Sequence, residues 1–168
     1  MSISQSLLPE FDHEMATTRK VLERVPDARA NWKPHDKSFS MGALSQHIGT
    51  LVGWTTMTMT TTEFDMAPPG QEPMKTPPFT STADLLALFD KNVADARAVL
   101  AGASDADFVV GWTLKMAGQD LFTIPRIGCV RTWVMNHVIH HRAQLSVYLR
   151  LNDIPVPSMY GPSADEQG

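Results

Sequence analysis

The chain of 168 residues carries one cysteine, Cys129, and no surplus of positive charge. A single cysteine excludes an internal disulfide framework and suits a reducing cytoplasm. On its helix Cys129 reads as a small buried hydrophobe. The net charge of −4 and pI near 5.8, with no basic arm, exclude broad electrostatic binding of nucleic acid or an anionic membrane. No apolar run approaches the roughly 20 residues that span a bilayer. The segment Met1 to Ser6 lacks the basic region and apolar stretch of a signal peptide. Gly42, Gly49 and Gly53 do not form a phosphate-binding loop. Ser45 and Ser146 lack a Gly-x-Ser-x-Gly setting. There is no internal repeat and no sustained heptad pattern.

What remains is a globular composition, 43% hydrophobic and 19% charged, in a length that suits a single domain over residues 1–168. Hydrophobic spacing of three and four predicts four helices. The first runs from about Ser4 to Val25, with Leu7, Phe11, Met15, Thr18 and Leu22 inward, Pro9 in its first turn and Pro26 ending it. The second follows Ser40, a suitable N-cap, and runs to about Glu63 with Leu44, His47, Ile48 and Leu51 inward. Prolines 68, 69, 73, 77 and 78 then forbid a helix and predict an extended crossover, long enough to travel the length of a bundle. The third helix spans about Ala83 to Ala101, opened by the capping sequence Ser81-Thr82-Ala83-Asp84. Residues 102–125 are irregular, with a short hairpin around Gly118 between Thr113–Met116 and Leu121–Ile124. The fourth helix spans Arg126 to Leu151 with Ile127, Val130, Val134, His137, His141, Leu145 and Tyr148 inward, and Asn152 caps it. The expected class is all-α, a four-helix bundle.

Histidine is the residue with chemistry to offer. His137 and His141 are four apart, so on a helix both rings leave one face, roughly 6 Å apart along the axis. Two imidazoles at that spacing can share one metal ion, and His47 on a second apolar stripe supplies a third. Three imidazoles leave coordination positions open, which is the layout of a catalytic ion. A zinc peptidase would place Glu directly after the first histidine, where this chain has Val138. His140 competes with His141 by spacing but points off the stripe. His13 and His35 lie in solvated stretches. The ten methionines read as core filler, and the four tryptophans as packing or pocket walls.

Three stretches resemble the DinB-like family, also known as DinB/YfiT-like and named for induction by DNA damage. They are Phe122-Thr123-Ile124-Pro125-Arg126, the run Asn136-His137-Val138-Ile139-His140-His141-Arg142-Ala143-Gln144-Leu145, and the tail Val156 to Glu166. Ala143 stands where family members commonly carry Gly. The resemblance implies a bundle of up-down-down-up topology. It also implies a divalent ion, nickel or zinc, on His47, His137 and His141, and a homodimer. The family includes thiol-dependent transferases and isomerases, so a metal-dependent reaction of a low-molecular-weight thiol is the leading expectation. Arg142 and Gln144 flank the motif and are placed to orient a substrate carboxylate or a ligand, with surface pairing an equal role for Arg142. The alternatives are hydrolysis by metal-activated water, with Asp165 or Glu166 as proton acceptor, and a metal-binding stress-response protein without catalysis.

Overall fold

The computed structural model describes residues 1–167. Its helices are α1 (Ile3–Leu22), α2 (Met41–Leu51), α3 (Gly53–Thr60), α4 (Thr82–Gly102), α5 (Asp105–Val109), α6 (Arg126–Cys129) and α7 (Asn136–Leu151). Its strands are β1 (Glu63–Asp65), β2 (Gly111–Met116) and β3 (Gln119–Pro125).

Local chemistry explains the helix ends. Ser2 and Gln5 form a reciprocal capping box that starts α1, so the helix begins at Ile3 and takes Pro9 beyond its first turn. The hydroxyls of Ser40 and Ser81 accept from the backbone N–H groups of Ala43 and Asp84 and open α2 and α4. The helix expected from Ser40 to Glu63 is broken at Val52 into α2 and α3. There Asn92 of α4 reaches in and donates to the Gly49 carbonyl at 2.9 Å, an insertion of the kind that bends helices. The last helix is continuous from Arg126 to Leu151 but contains a π-helical turn, Val130–Met135, between α6 and α7. Such turns shift the helical phase, and they are frequent at functional sites.

The expectation of an all-α four-helix bundle is corrected. The molecule is mixed α/β, with a three-stranded sheet in the order β1-β2-β3. The hairpin around Gly118 is present as the antiparallel β2–β3 pair, tied by a 2.8 Å hydroxyl contact between Thr113 and Thr123. β1 adds to β2 in parallel, with Glu63 opposite Thr113. The physical cause lies in Thr60, Thr61 and Thr62. β-Branched residues are poor helix formers, and the extended backbone at Thr61 releases the chain into a strand.

Two cores result. The larger joins α1, α2, α4 and α7 around Phe11, Leu22, Leu44, Ile48, Phe89 and Leu145. The smaller lies under the sheet, where Trp112, Leu114 and Cys129 are buried beside Trp54, Phe64 and Ile124. No helix of the described residues is long and apolar enough to cross a membrane.

Candidate metal centre

The large core holds α2 against α7, and this contact brings three histidines together. His47 projects from α2, and His137 and His141 from α7. Their ring centroids are 5.2 Å (47–137), 4.8 Å (47–141) and 4.6 Å (137–141) apart. One nitrogen from each ring lies within 4.8 Å of the others. An ion held at 2.0–2.1 Å needs nitrogens about 3.4 Å apart, so small side-chain rotations close the triangle. Among the described residues no Asp, Glu or Cys joins the group.

The ring orientations have identifiable causes. His141 Nδ1 lies 2.8 Å from Gln144 Oε1, an acceptor, so Nδ1 carries the proton and Nε2 keeps its lone pair. Gln144 is itself fixed by a 3.0 Å hydrogen bond between its Nε2 and His140 Nε2. His137 Nδ1 faces the Trp133 carbonyl of the π turn at 3.3 Å, with the same consequence. Burial, reinforced by the neighbouring His141 and His137, holds the His47 pKa down to about 4. Burial also lowers His137 and His141. All three rings are therefore neutral at pH 7, the form that binds metal.

The other sequence candidates sort themselves by surroundings. His140 is exposed and braces Gln144, while His13 and His35 are exposed and lie outside the group. Arg142 does not pair at the surface. It is 1% exposed, bridged to Glu14 at 2.8 Å and donating to the hydroxyls of Thr18 and Tyr160. Asp165 accepts from Arg150 and the Val156 N–H, and Glu166 from Arg24 and the Ser158 N–H, so neither stands free as a base. Cys129 is fully buried against Thr58, and burial pushes its thiol pKa up. Sequence reasoning missed Phe39, whose ring lies 5.8 Å from that of His47 and 6.5 Å from that of His141.

Among the described residues, cavities open on three sides of the histidines. A cleft of about 420 Å³ lies between the start of α2 and the proline-rich segment, with His47 in its wall. A smaller one of about 90 Å³ lies on the other side of His47, by Trp54 and Met66. A third of about 460 Å³ opens beside His137, over Trp133 and Asn136.

Comparison with known proteins agrees with this architecture. The DinB superfamily matches residues 10–145, and the chain belongs to that superfamily. It is 22% identical to the uncharacterised protein YrdA of Bacillus subtilis over 159 residues, which is 95% of this chain and 89% of that protein. Among solved structures, a DinB-like protein of Bacillus cereus superimposes with a TM-score of 0.69 at 22% identity, covering 95% of this chain and 98% of that one. The DinB-like protein YjoA of Bacillus subtilis superimposes with a TM-score of 0.67 at 18% identity, covering 97% and 99%.

Proposed function

We propose that this DinB-superfamily protein binds one divalent ion, nickel or zinc, through His47, His137 and His141. We propose further that it uses the ion to activate a small thiol for S-transfer or thiol-assisted isomerisation. The observation that carries this reading is a neutral triad that, among the described residues, no Asp, Glu, Cys or further His joins, bordered by cavities, so that coordination positions are left for outside molecules. When bound, the ion supplies the positive charge that keeps a thiol as its reactive thiolate. The chain's own contribution is to hold ring nitrogens in place through Gln144 and the Trp133 carbonyl. The thiol comes from outside, because Cys129 is buried and hard to ionise.

In the step itself the thiol proton goes to water and the sulfur lone pair forms a C–S bond. In S-transfer a leaving group departs with the pair of its broken bond. In isomerisation the pair of an activated alkene shifts to the neighbouring carbon. It returns to re-form the double bond, with the C–S bond breaking, after rotation.

Hydrolysis is the weaker reading, since both tail carboxylates are engaged elsewhere. A purely structural ion would leave the adjoining cavities without a use. The test is elemental analysis of untagged protein beside the H137A/H141A variant, followed by thiol titration of the cobalt-substituted protein. About one ion per chain, lost in the folded variant, and a thiol-induced change in the cobalt spectrum are expected. Absence of metal after supply of divalent ions would return the triad to a polar patch of the interior.

A further inference from the structure

Charge is distributed unevenly among the cavities of this molecule. The chain has 14 Lys and Arg and 18 Asp and Glu. Among the described residues none of them lines any of the three cavities that touch the triad. The two cavities away from it do carry charge, with Glu10 and Arg131 in one and Asp12, Arg19 and Asp90 in the other. The cation adjacent to the triad in sequence, Arg142, is turned away and neutralised by Glu14. Lys33 donates to the Asp36 carbonyl and Lys75 pairs with Glu72, while Lys37, two residues before Phe39, lines none of the three.

The cleft between α2 and the proline-rich segment has its own character. Phe39, Pro77, Pro78 and Phe79 supply flat apolar surface, and among the described residues the polar side chains that line it besides His47 are the neutral Asn31, Ser40 and Thr76. Its volume is that of a small-molecule site. Gly42 shapes one wall, since a Cβ there would come within 3.0 Å of both the Ala30 Cβ and the Phe79 ring.

We propose that this cleft seats an uncharged, largely apolar electrophile, and that the site does not serve a carboxylate substrate. The inference rests on the thiol reading above and sharpens it toward neutral partners. A carboxylate entering such a cleft would lose its hydration and meet no cationic side chain in exchange, and the Gly42 and Ala43 N–H groups of the wall already donate to the Ala30 carbonyl and the Ser40 hydroxyl. The thiolate of the proposed reaction would take a position on the ion and offset half of its charge, and no Lys or Arg of the cleft wall adds to the remainder. A neutral aromatic or alkyl group loses nothing and gains contact with the two phenylalanines.

Methyl cinnamate and cinnamate test this, because they share an activated alkene and differ by one charge. Binding is measured calorimetrically on the protein carrying its ion and again after chelation, with amide shifts mapped by NMR. The ester is expected to bind about tenfold or more tightly than the acid, shifting the amides of Ala43 and Phe79. Ala43 is exposed in the cleft wall. Ala43→Phe should fill the cleft and abolish ester binding with the melting temperature and metal content unchanged, and Ala43→Arg should raise the affinity for cinnamate. The inference is overturned if the ester does not bind, if chelated protein takes the acid as tightly, or if Ala43→Phe leaves ester binding intact. Ester binding at the cleft in a protein that holds no ion and supports no thiol chemistry would refute the proposed reaction and leave the cleft assignment standing. Thiol turnover without ester in the cleft would do the reverse.

Discussion

His141 and Arg142 are adjacent on α7 and face opposite environments. On the His141 side three neutral rings meet beside cavities that, among the described residues, no Lys, Arg, Asp or Glu lines. On the Arg142 side a guanidinium is buried against Glu14, which is 6% exposed, with the Tyr160 hydroxyl donating to both carboxylate oxygens. One face gathers three neutral rings within reach of one another, and the other has neutralised its own charge. A buried ion pair costs desolvation and is justified only when both members are satisfied. Here the pair ties α1, α7 and the tail together.

The largest effect should come from breaking the charged face. Glu14→Ala leaves Arg142 buried and unpaired and should destabilise the fold by about 3–5 kcal/mol, read from urea unfolding. A loss under 1 kcal/mol would mean that Arg142 escapes to solvent and that the contrast between the two faces is shallow.

The neutral face should respond differently. Gln144→Ala frees the His141 ring and should weaken metal binding about 10- to 100-fold with little change in unfolding midpoint, as removal of a ligand's hydrogen-bond partner does. Competition with a chromophoric chelator measures this, and unchanged affinity would deny Gln144 its orienting role.

Acid should also act on the neutral face. Free histidine titrates near 6.5, and folded His47 only near pH 4. Between those values the unfolded chain binds more protons, so stability of the metal-free protein falls as pH drops through this window and is fully present above it. Asp27, Asp84, Asp107 and Asp165 are held low by hydrogen bonds and lose their contribution only below the ordinary carboxylate value. Urea midpoints of chelated protein from pH 7 to 4 should slope less in His47→Asn, and equal slopes would contradict the lowered pKa.

The smallest effect belongs to the surface. Lys91 pairs with Asp95 at 2.6 Å on exposed α4, and Lys91→Ala should change stability by less than about 0.5 kcal/mol. A thermal melt showing more would undo the distinction between buried and solvated pairs drawn here.

Much of this was legible in the residues. Ser40 and Ser81 announced helix starts, Gly118 announced a turn, and the four-residue spacing of His137 and His141 put both rings on one helix face. The class was misread because β1 has only three residues and finds its partner far along the chain, a pairing no local pattern encodes. The break at Val52 depends on Asn92 of another helix. Glu14 and Arg142 did leave a signal. Glu14 lies three residues after Phe11 and four before Thr18, and Arg142 four after Val138 and three before Leu145, all of them buried. Opposite charges on two buried stripes mark a pair, but the charge of each alone reads as surface.

The sequence by itself determined where α1, α2, α4 and α6 begin, which rings share a face and that the chain lacks a second thiol, because propensity, capping and periodicity act within a few residues. Only the tertiary structure decided that His47 meets the pair on α7, that Arg142 turns from the site toward Glu14, and that among the described residues no Lys, Arg, Asp or Glu lines the surrounding cavities. Those outcomes depend on how α1, α2 and α7 are set against one another around the shared core, and that setting is a property of the whole packed interior rather than of any one segment.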